Sequence, residues 1–190
     1  GGGGEEGERG LHEIRVVGDP VLRQAALEVR EFDGAIARLA EDMALTMREA
    51  GGVGLAAKQV GVLRRLFTFD DPGDEDHDPS AGAVVNPVLL DASEDSELVD
   101  EGCLSFPGLF YPVERQLEVV VRHHDLRGEE HETTLHGFGA RIWLHEMDHL
   151  NGVLFIDHLA RHDRREAMRI MRERDLDPRD VPGVAPAIGG

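Results

Sequence analysis

The chain carries one cysteine, Cys103, in 190 residues, so no disulfide can form within it. That usage fits a reducing compartment, where a lone cysteine is a candidate metal ligand. No apolar run approaches the roughly 20 residues that a bilayer-spanning helix needs. The opening stretch GGGGEEGERG has no hydrophobic segment like that of a secretory leader. A cytoplasmic protein with no membrane partner is therefore expected. Basic residues are scarce: 20 Lys and Arg stand against 38 Asp and Glu, a net charge of -18. Phosphate contacts need clustered Lys and Arg, so a broad DNA-binding surface is not expected, and the acidity serves mainly solubility. Internal repeats and the strand-helix-strand rhythm of a parallel sheet are also missing.

What is present suffices for one core. With 41% hydrophobic residues, the length suits one domain better than two. Residues 1–10 read as a disordered tail, 11–175 as a single domain and 176–190 as a flexible tail. Asp19-Pro20 opens a short helix through about Leu27. Asp33 caps a longer one, in which Ile36, Leu39, Ala40, Met43 and Met47 recur at helical spacing until Gly51-Gly52. GGVGLAAKQVGV (51–62) is too glycine-rich for an ordinary helix or strand, and it lacks both the P-loop ending and GxGxxG spacing. RLFTFD alternates like a strand, and the acidic loop DPGDEDHDPS after it leaves His77 solvated. AVVNPVLL and residues 97–100 read as short strands. Two prolines and two glycines in EGCLSFPGLFYPV (101–113) predict a shaped loop carrying Cys103. ERQLEVVVRHHD and EEHETTLHG flank Leu126-Arg127-Gly128 as a hairpin, with His123, His124, His131 and His136 exposed on it. VLFID predicts a short strand and His158 to Arg174 a last helix. The fold class is α+β: a central helix packed against short, mostly antiparallel sheets, with a C-terminal helix.

That central helix carries WLHEMDHLNG. Within it, His145 and His149 lie one turn apart on one face, with the carboxylate of Glu146 beside them, so both imidazoles can grip one metal ion. Ile142, Leu144 and Leu150 supply apolar positions, and Asn151-Gly152 suits a left-handed helix end. A catalytic metal usually takes three protein ligands and keeps a position open, and Cys103 would complete such a set. A metzincin would need a histidine where Phe155 stands. A thermolysin-like site would draw a glutamate from a later helix; Glu166 is available there, in an arginine-rich segment, and ranks below Cys103.

Three motifs in order, GVGLAAKQ at 52–59, EGCLS at 101–105 and HEMDH at 145–149, make the chain resemble the peptide deformylases. The similarity continues from GDPVLR through NPVLL to GVLFID, over about residues 12–160. Lys58 and Leu144 depart from the family pattern, and neither replaces a ligand or the carboxylate. The resemblance implies one divalent metal ion held by Cys103, His145 and His149, Fe²⁺ natively, with Zn²⁺ or Ni²⁺ able to replace it. It implies Glu146 as proton carrier for the attacking water, and the Gln59 side chain and Leu104 backbone N–H as donors to the developing oxyanion. The implied substrates are N-formylated nascent peptides, releasing formate. Val53, Phe106 and Ile142 would receive the methionine side chain, and the backbone at Gly54 and Gly102 would pair with the extended peptide. Asp148 reads as a carboxylate that supports a histidine ligand or helix packing. The last helix carries six arginines between Arg161 and Arg174, which makes the ribosome a candidate partner.

Overall fold

The computed structural model describes residues 10–175; apart from Gly10, the expected tails at 1–10 and 176–190 lie outside the described residues. Asp19 accepts a hydrogen bond from Val21 N and caps a single 3-10 turn, Pro20–Arg23. The expected continuation to Leu27 does not form, because the backbone there bonds to distant segments: Ala26 N to Leu150 O, Leu27 N to Leu63 O, and Arg65 N to Leu27 O. Helix α1 (Gly34–Glu49) starts as expected, with the Asp33 carboxylate accepting from Ala35 N and Ile36 N. It ends where Gly51 turns at φ 72°.

Among the described residues seven strands follow: β1 (Gly54–Ala56), β2 (Leu66–Asp71), β3 (Ser80–Ala92), β4 (Ser96–Cys103), β5 (Phe106–Gln116), β6 (Glu118–His124) and β7 (Glu130–His136). Five form a sheet in the order β1-β2-β3-β6-β7, and β4 and β5 form a separate ribbon. Every named pairing is antiparallel, in keeping with the α+β expectation. Several strands are longer than expected. Strand β3 runs straight through Asn86-Pro87, because Asn86 takes up φ 49° and its side chain clasps Val29 N and Val29 O at 2.9 and 2.8 Å. The register shift against β6 falls there, between Val85 and Val88, a bulge that absorbs the proline.

The largest correction concerns residues 101–113, which form most of the β4–β5 ribbon rather than a loop. Each strand of a two-stranded ribbon pairs along one edge only, so proline is tolerated there. Cys103 is the last residue of β4, beside a register shift between Gly102 and Cys103. Residues 51–62 likewise hold β1 and a 3-10 turn, Ala57–Val60. VLFID gives the 3-10 turn Phe155–His158 instead of a strand, and the last helix, α3, spans Arg161–Asp175.

Helix α2 (Gly137–Leu150) holds the HEMDH motif and ends with Gly152 at φ 76°. The two-residue period of the strands divides the core. Phe67, Phe69, Val84 and Val121 pack with Ala140, Ile142, Trp143 and Met147 of α2, whereas Leu66 and Val85 pack with Met43 and Met47 of α1. The two helices thus cover opposite faces of the large sheet. A third cluster joins Cys103, Phe106 and Val113 to Phe155, Ala167 and Met171. His123 is buried, against expectation: its ring packs edge-on to Trp143 at 5.1 Å, and its Nε2 lies 2.9 Å from Thr133 Oγ1. Among the described residues no helix is long and apolar enough to cross a membrane.

Candidate metal centre

Helix α2 brings His145 and His149 to one face, with ring centroids 5.1 Å apart, and β4 delivers Cys103 to them. Cys103 Sγ lies 3.5 Å from His149 Nε2. One ligand atom from each of the three residues fits within a 4.8 Å spread, and all three residues are buried. This donor set suits a metal ion: one soft thiolate and two imidazoles match the preferences of zinc and of iron(II) or nickel(II), and three ligands leave a position for substrate or water. Without a cation, burial pushes the Cys103 thiol above its ordinary range, so metal binding there must expel a proton. Glu166, the alternative third ligand, sits on α3 and accepts from Tyr111 Oη at 2.9 Å; it belongs to no candidate metal group among the described residues.

The tautomer of His145 is set from behind. Its Nδ1 lies 2.7 Å from Glu101 Oε2; a carboxylate accepts, so Nδ1 carries the hydrogen and Nε2 is the nitrogen offered to a metal. Glu101 also accepts from Arg115 Nε and Nη2 at 3.1 and 2.8 Å and from Arg141 Nη1 at 3.1 Å. Burial opposes its ionisation, yet His145 and Arg115 outweigh that and hold its carboxyl well below the usual range. For His145, burial disfavours the charged form, and the Glu101 carboxylate and Cys103 together more than reverse this. Asp148 accepts from Arg115 Nη1 at 2.7 Å and pairs with His158 Nε2 at 2.8 Å. The orienting carboxylate is Glu101, inside EGCLS but given no role from sequence. The spacing could have found it only had the segment been read as a strand rather than a loop, since residues two apart on a strand, as Glu101 and Cys103 are, share a face.

Around the donors stand the other predicted residues. Gln59 is fully buried; its Oε1 accepts from Ala56 N at 2.9 Å, which fixes the amide so that Nε2 donates to Ser105 Oγ at 3.0 Å and reaches Cys103 Sγ at 3.9 Å. Leu104 follows Cys103 in the turn of the ribbon, and its side chain fills the space at Gly52, where a Cβ would sit 2.6 Å from Leu104 Cδ1. Glu146 is fully buried and lies so close to β1 that a Cβ on Gly54 would come within 2.5 Å of its Oε2. Only glycine permits that approach. Gly102 is similarly tight against the Phe110 ring. Among the described residues, β1 is an edge strand of its sheet and β4 pairs with no strand but β5, so Gly54 and Gly102 lie on strands that each have one edge unpaired by another described strand. The three expected pocket residues divide: Val53 and Ile142 share the α2 cluster, whereas Phe106 packs with Cys103 and edge-on to Phe155 at 5.2 Å.

A second donor group, Asp125, Glu129 and His131, lies in the exposed β6–β7 turn. Asp125 is already engaged there by Arg127 N, Glu129 N and His131 Nε2.

Lys58, next to Gln59, is fully buried and donates to the Gln24 carbonyl. Burial first, and the nearby Arg65 charge second, lower its pKa to about 8. The unfolded chain therefore binds more protons than the folded one between about pH 8 and 10.5, and stability must rise with pH across that window. Below it the cost is constant, at most about 3 kcal/mol for a shift of this size. Lys58→Met is expected to abolish that rise and to lift the melting temperature at pH 7, as thermal unfolding followed from pH 7 to 10.5 would reveal. A parallel pH dependence in both proteins would contradict it.

Comparison with known proteins points one way. The family model described as polypeptide deformylase matches residues 11–165. A peptide deformylase of Thermotoga neapolitana is 45% identical over 167 residues, covering 88% of this chain and 96% of the relative. One from a Parafrankia species is 42% identical over 174 residues, covering 92% of each. Among solved structures, a peptide deformylase from Legionella pneumophila superposes with a TM-score of 0.81 at 37% identity, over 90% of this chain and 99% of that one. The Ehrlichia chaffeensis peptide deformylase in complex with actinonin gives 0.82 at 34% identity, over 87% and 98%.

Proposed function

Because this chain belongs to the polypeptide deformylase family, we propose that it hydrolyses the N-formyl group of the N-terminal formylmethionine on newly made polypeptides, releasing formate and a free amino terminus. The observation that carries this reading is the buried triangle of Cys103, His145 and His149 donor atoms with the Glu146 carboxylate enclosed next to it. A divalent ion held by those three residues, iron(II) in the cell and replaceable by zinc or nickel, would polarise the formyl carbonyl and bring the pKa of water towards neutrality. Glu146 takes the proton of the attacking water and returns it to the leaving amine. Gln59 Nε2, held by its bond from Ala56 N, and the Leu104 backbone N–H donate to the oxygen on which charge develops. The peptide lies extended along the open edges at Gly54 and Gly102, with its methionine side chain against Val53, Phe106 and Ile142. The enzyme works in the cytoplasm as a single domain over 11–175. Protein loaded anaerobically with iron should release formate from formyl-Met-Ala-Ser; cleavage of an internal peptide bond without formate would replace this reading by that of a metallopeptidase.

The work is proposed to take place at the ribosome, through α3. Ala167 and Met171 dock that helix on the core, while Arg164, Arg165, Arg169 and Arg172 line, with Arg23, a groove of about 640 Å³. Exposed arginines on an acidic chain suit RNA phosphates. Replacing those four helix arginines by glutamine should leave tripeptide deformylation within about twofold, because surface changes away from the site act weakly. Co-sedimentation with ribosomes should fall and lose its salt dependence. Equal co-sedimentation across a salt series would refute the docking role.

A further inference from the structure

Arg141 is a buried cation without an assigned purpose. Its side chain is 4% exposed, and it lies on α2 four residues before His145 and eight before His149. At 3.6 residues per turn these three share one face, so the stripe that presents two imidazoles also presents a guanidinium. Burying a guanidinium is costly unless its N–H groups and its charge are met, and an aliphatic side chain would fill the space more cheaply. Here the donors are well used. Nη1 bonds to Glu101 Oε1 at 3.1 Å and to Val113 O at 2.8 Å, with Val99 O at 3.4 Å; Nη2 donates to Glu97 O at 2.8 Å. One side chain of the histidine-bearing helix thus grips both strands of the ribbon whose β4 ends at Cys103. It also braces the carboxylate that holds His145.

We propose that Arg141 is a positioning residue for the metal centre, locking the helix that carries His145 and His149 to the strand that carries Cys103 and holding Glu101 against His145. The inference rests on the reading of those three residues as the metal ligands. The thiolate and the imidazoles come from elements separated by more than 40 positions, from Cys103 to His145, and a 4.8 Å donor spread survives only if helix and ribbon cannot slide. Arg115 supplies a second tie, from β5 through Glu101 and Asp148. Arg141 is the one that runs from α2 to β4 itself, at Glu97 O and Val99 O. Without it, Glu101 Oε1 loses one of its two arginine donors and keeps Arg115 Nε, and α2 loses these bonds to the backbone of Glu97, Val99 and Val113.

The test compares the full chain with Arg141→Met and Arg141→Lys. Zinc affinity is measured by competition with a chromophoric chelator, thiolate-to-metal charge transfer in the cobalt-substituted protein, and thermal unfolding of the metal-free forms. Arg141→Met should bind zinc roughly 10- to 100-fold more weakly, the loss typical when an outer partner of a metal ligand is removed, and should shift or weaken the thiolate band. Arg141→Lys, which keeps the charge but not the fork, should fall between the two. Wild-type affinity and spectrum in both variants, with thermal stability alone reduced, would overturn the proposal and leave Arg141 a packing residue. If the methionine variant does not fold, the lysine variant decides: undiminished zinc affinity overturns the proposal and a several-fold loss supports it. Formate release by the wild-type protein reports separately on the deformylase reading, so weakened zinc binding in variants of a protein that releases no formate would fault that reading and not this one.

Discussion

Glu146→Gln is expected to retain one metal ion per chain and to release formate about 10²- to 10⁴-fold more slowly, the usual worth of a positioned general base. Glutamine has nearly the same shape, so the contact with Gly54, where even a Cβ would stand 2.5 Å from Glu146 Oε2, is preserved. What is lost is the capacity to take a proton and return it. The three donor residues do not include Glu146, which is why metal content and turnover should separate. Metal analysis on the purified variant, together with single-turnover formate release, makes the comparison direct. Near-normal turnover with the metal retained would sink the proposed mechanism, and loss of both together would recast Glu146 as part of the metal site.

Elements governed by local signals were legible in the sequence. α1 has an Asp33 cap, apolar residues at helical spacing and a glycine stop. The β6–β7 hairpin has alternation and a turn, and α2 ends at Asn151-Gly152 as its sequence suggests. Where local signals conflicted, the reading failed for a physical reason. Proline and glycine in EGCLSFPGLFYPV hid a β-ribbon, because a strand with one open edge can drop a donor that a central strand cannot. VLFID has strand-like composition but closes into a 3-10 turn, with Leu154 N bonded to the Asp157 carboxylate at 3.0 Å. The site divides in the same way. Metal-ligating and proton-carrying candidates stood out because their chemistry is written in residue type and spacing. Glu101, Arg115 and Arg141 did not, since charged residues in an acidic chain look like surface until a distant partner buries them. Arg115, for example, is 5% exposed only because Glu101 and Asp148 meet it from two other elements. His123 was misjudged for the same reason, its burial depending on Trp143 twenty residues away.

Cys103→Ser should weaken metal binding by on the order of 100-fold or more, at least the cost of disturbing an outer partner, and abolish most activity at limiting metal. The thiol ends β4 in a fully enclosed position, 3.5 Å from His149 Nε2, and burial pushes its pKa up, against ionisation. Only a cation that binds the thiolate strongly can offset that penalty. A serine hydroxyl ionises far less readily and is a poor partner for a soft ion, so the variant would offer two imidazoles and little more. The effect extends to the fold. A metal that binds the native state alone stabilises it in proportion to the logarithm of saturation, about 2.7 kcal/mol at one hundred times the dissociation constant. Added zinc should therefore raise the melting temperature of the wild-type protein by several degrees and that of Cys103→Ser hardly at all. Because Gln59 Nε2 also approaches this sulfur, at 3.9 Å, Gln59→Ala serves as a control for a polar neighbour that is not a ligand. It should lower turnover while leaving the zinc-induced shift in melting temperature in place. A serine variant that keeps both the shift and one metal ion per chain would move the third ligand elsewhere and break the link between β4 and α2 on which the proposed chemistry depends.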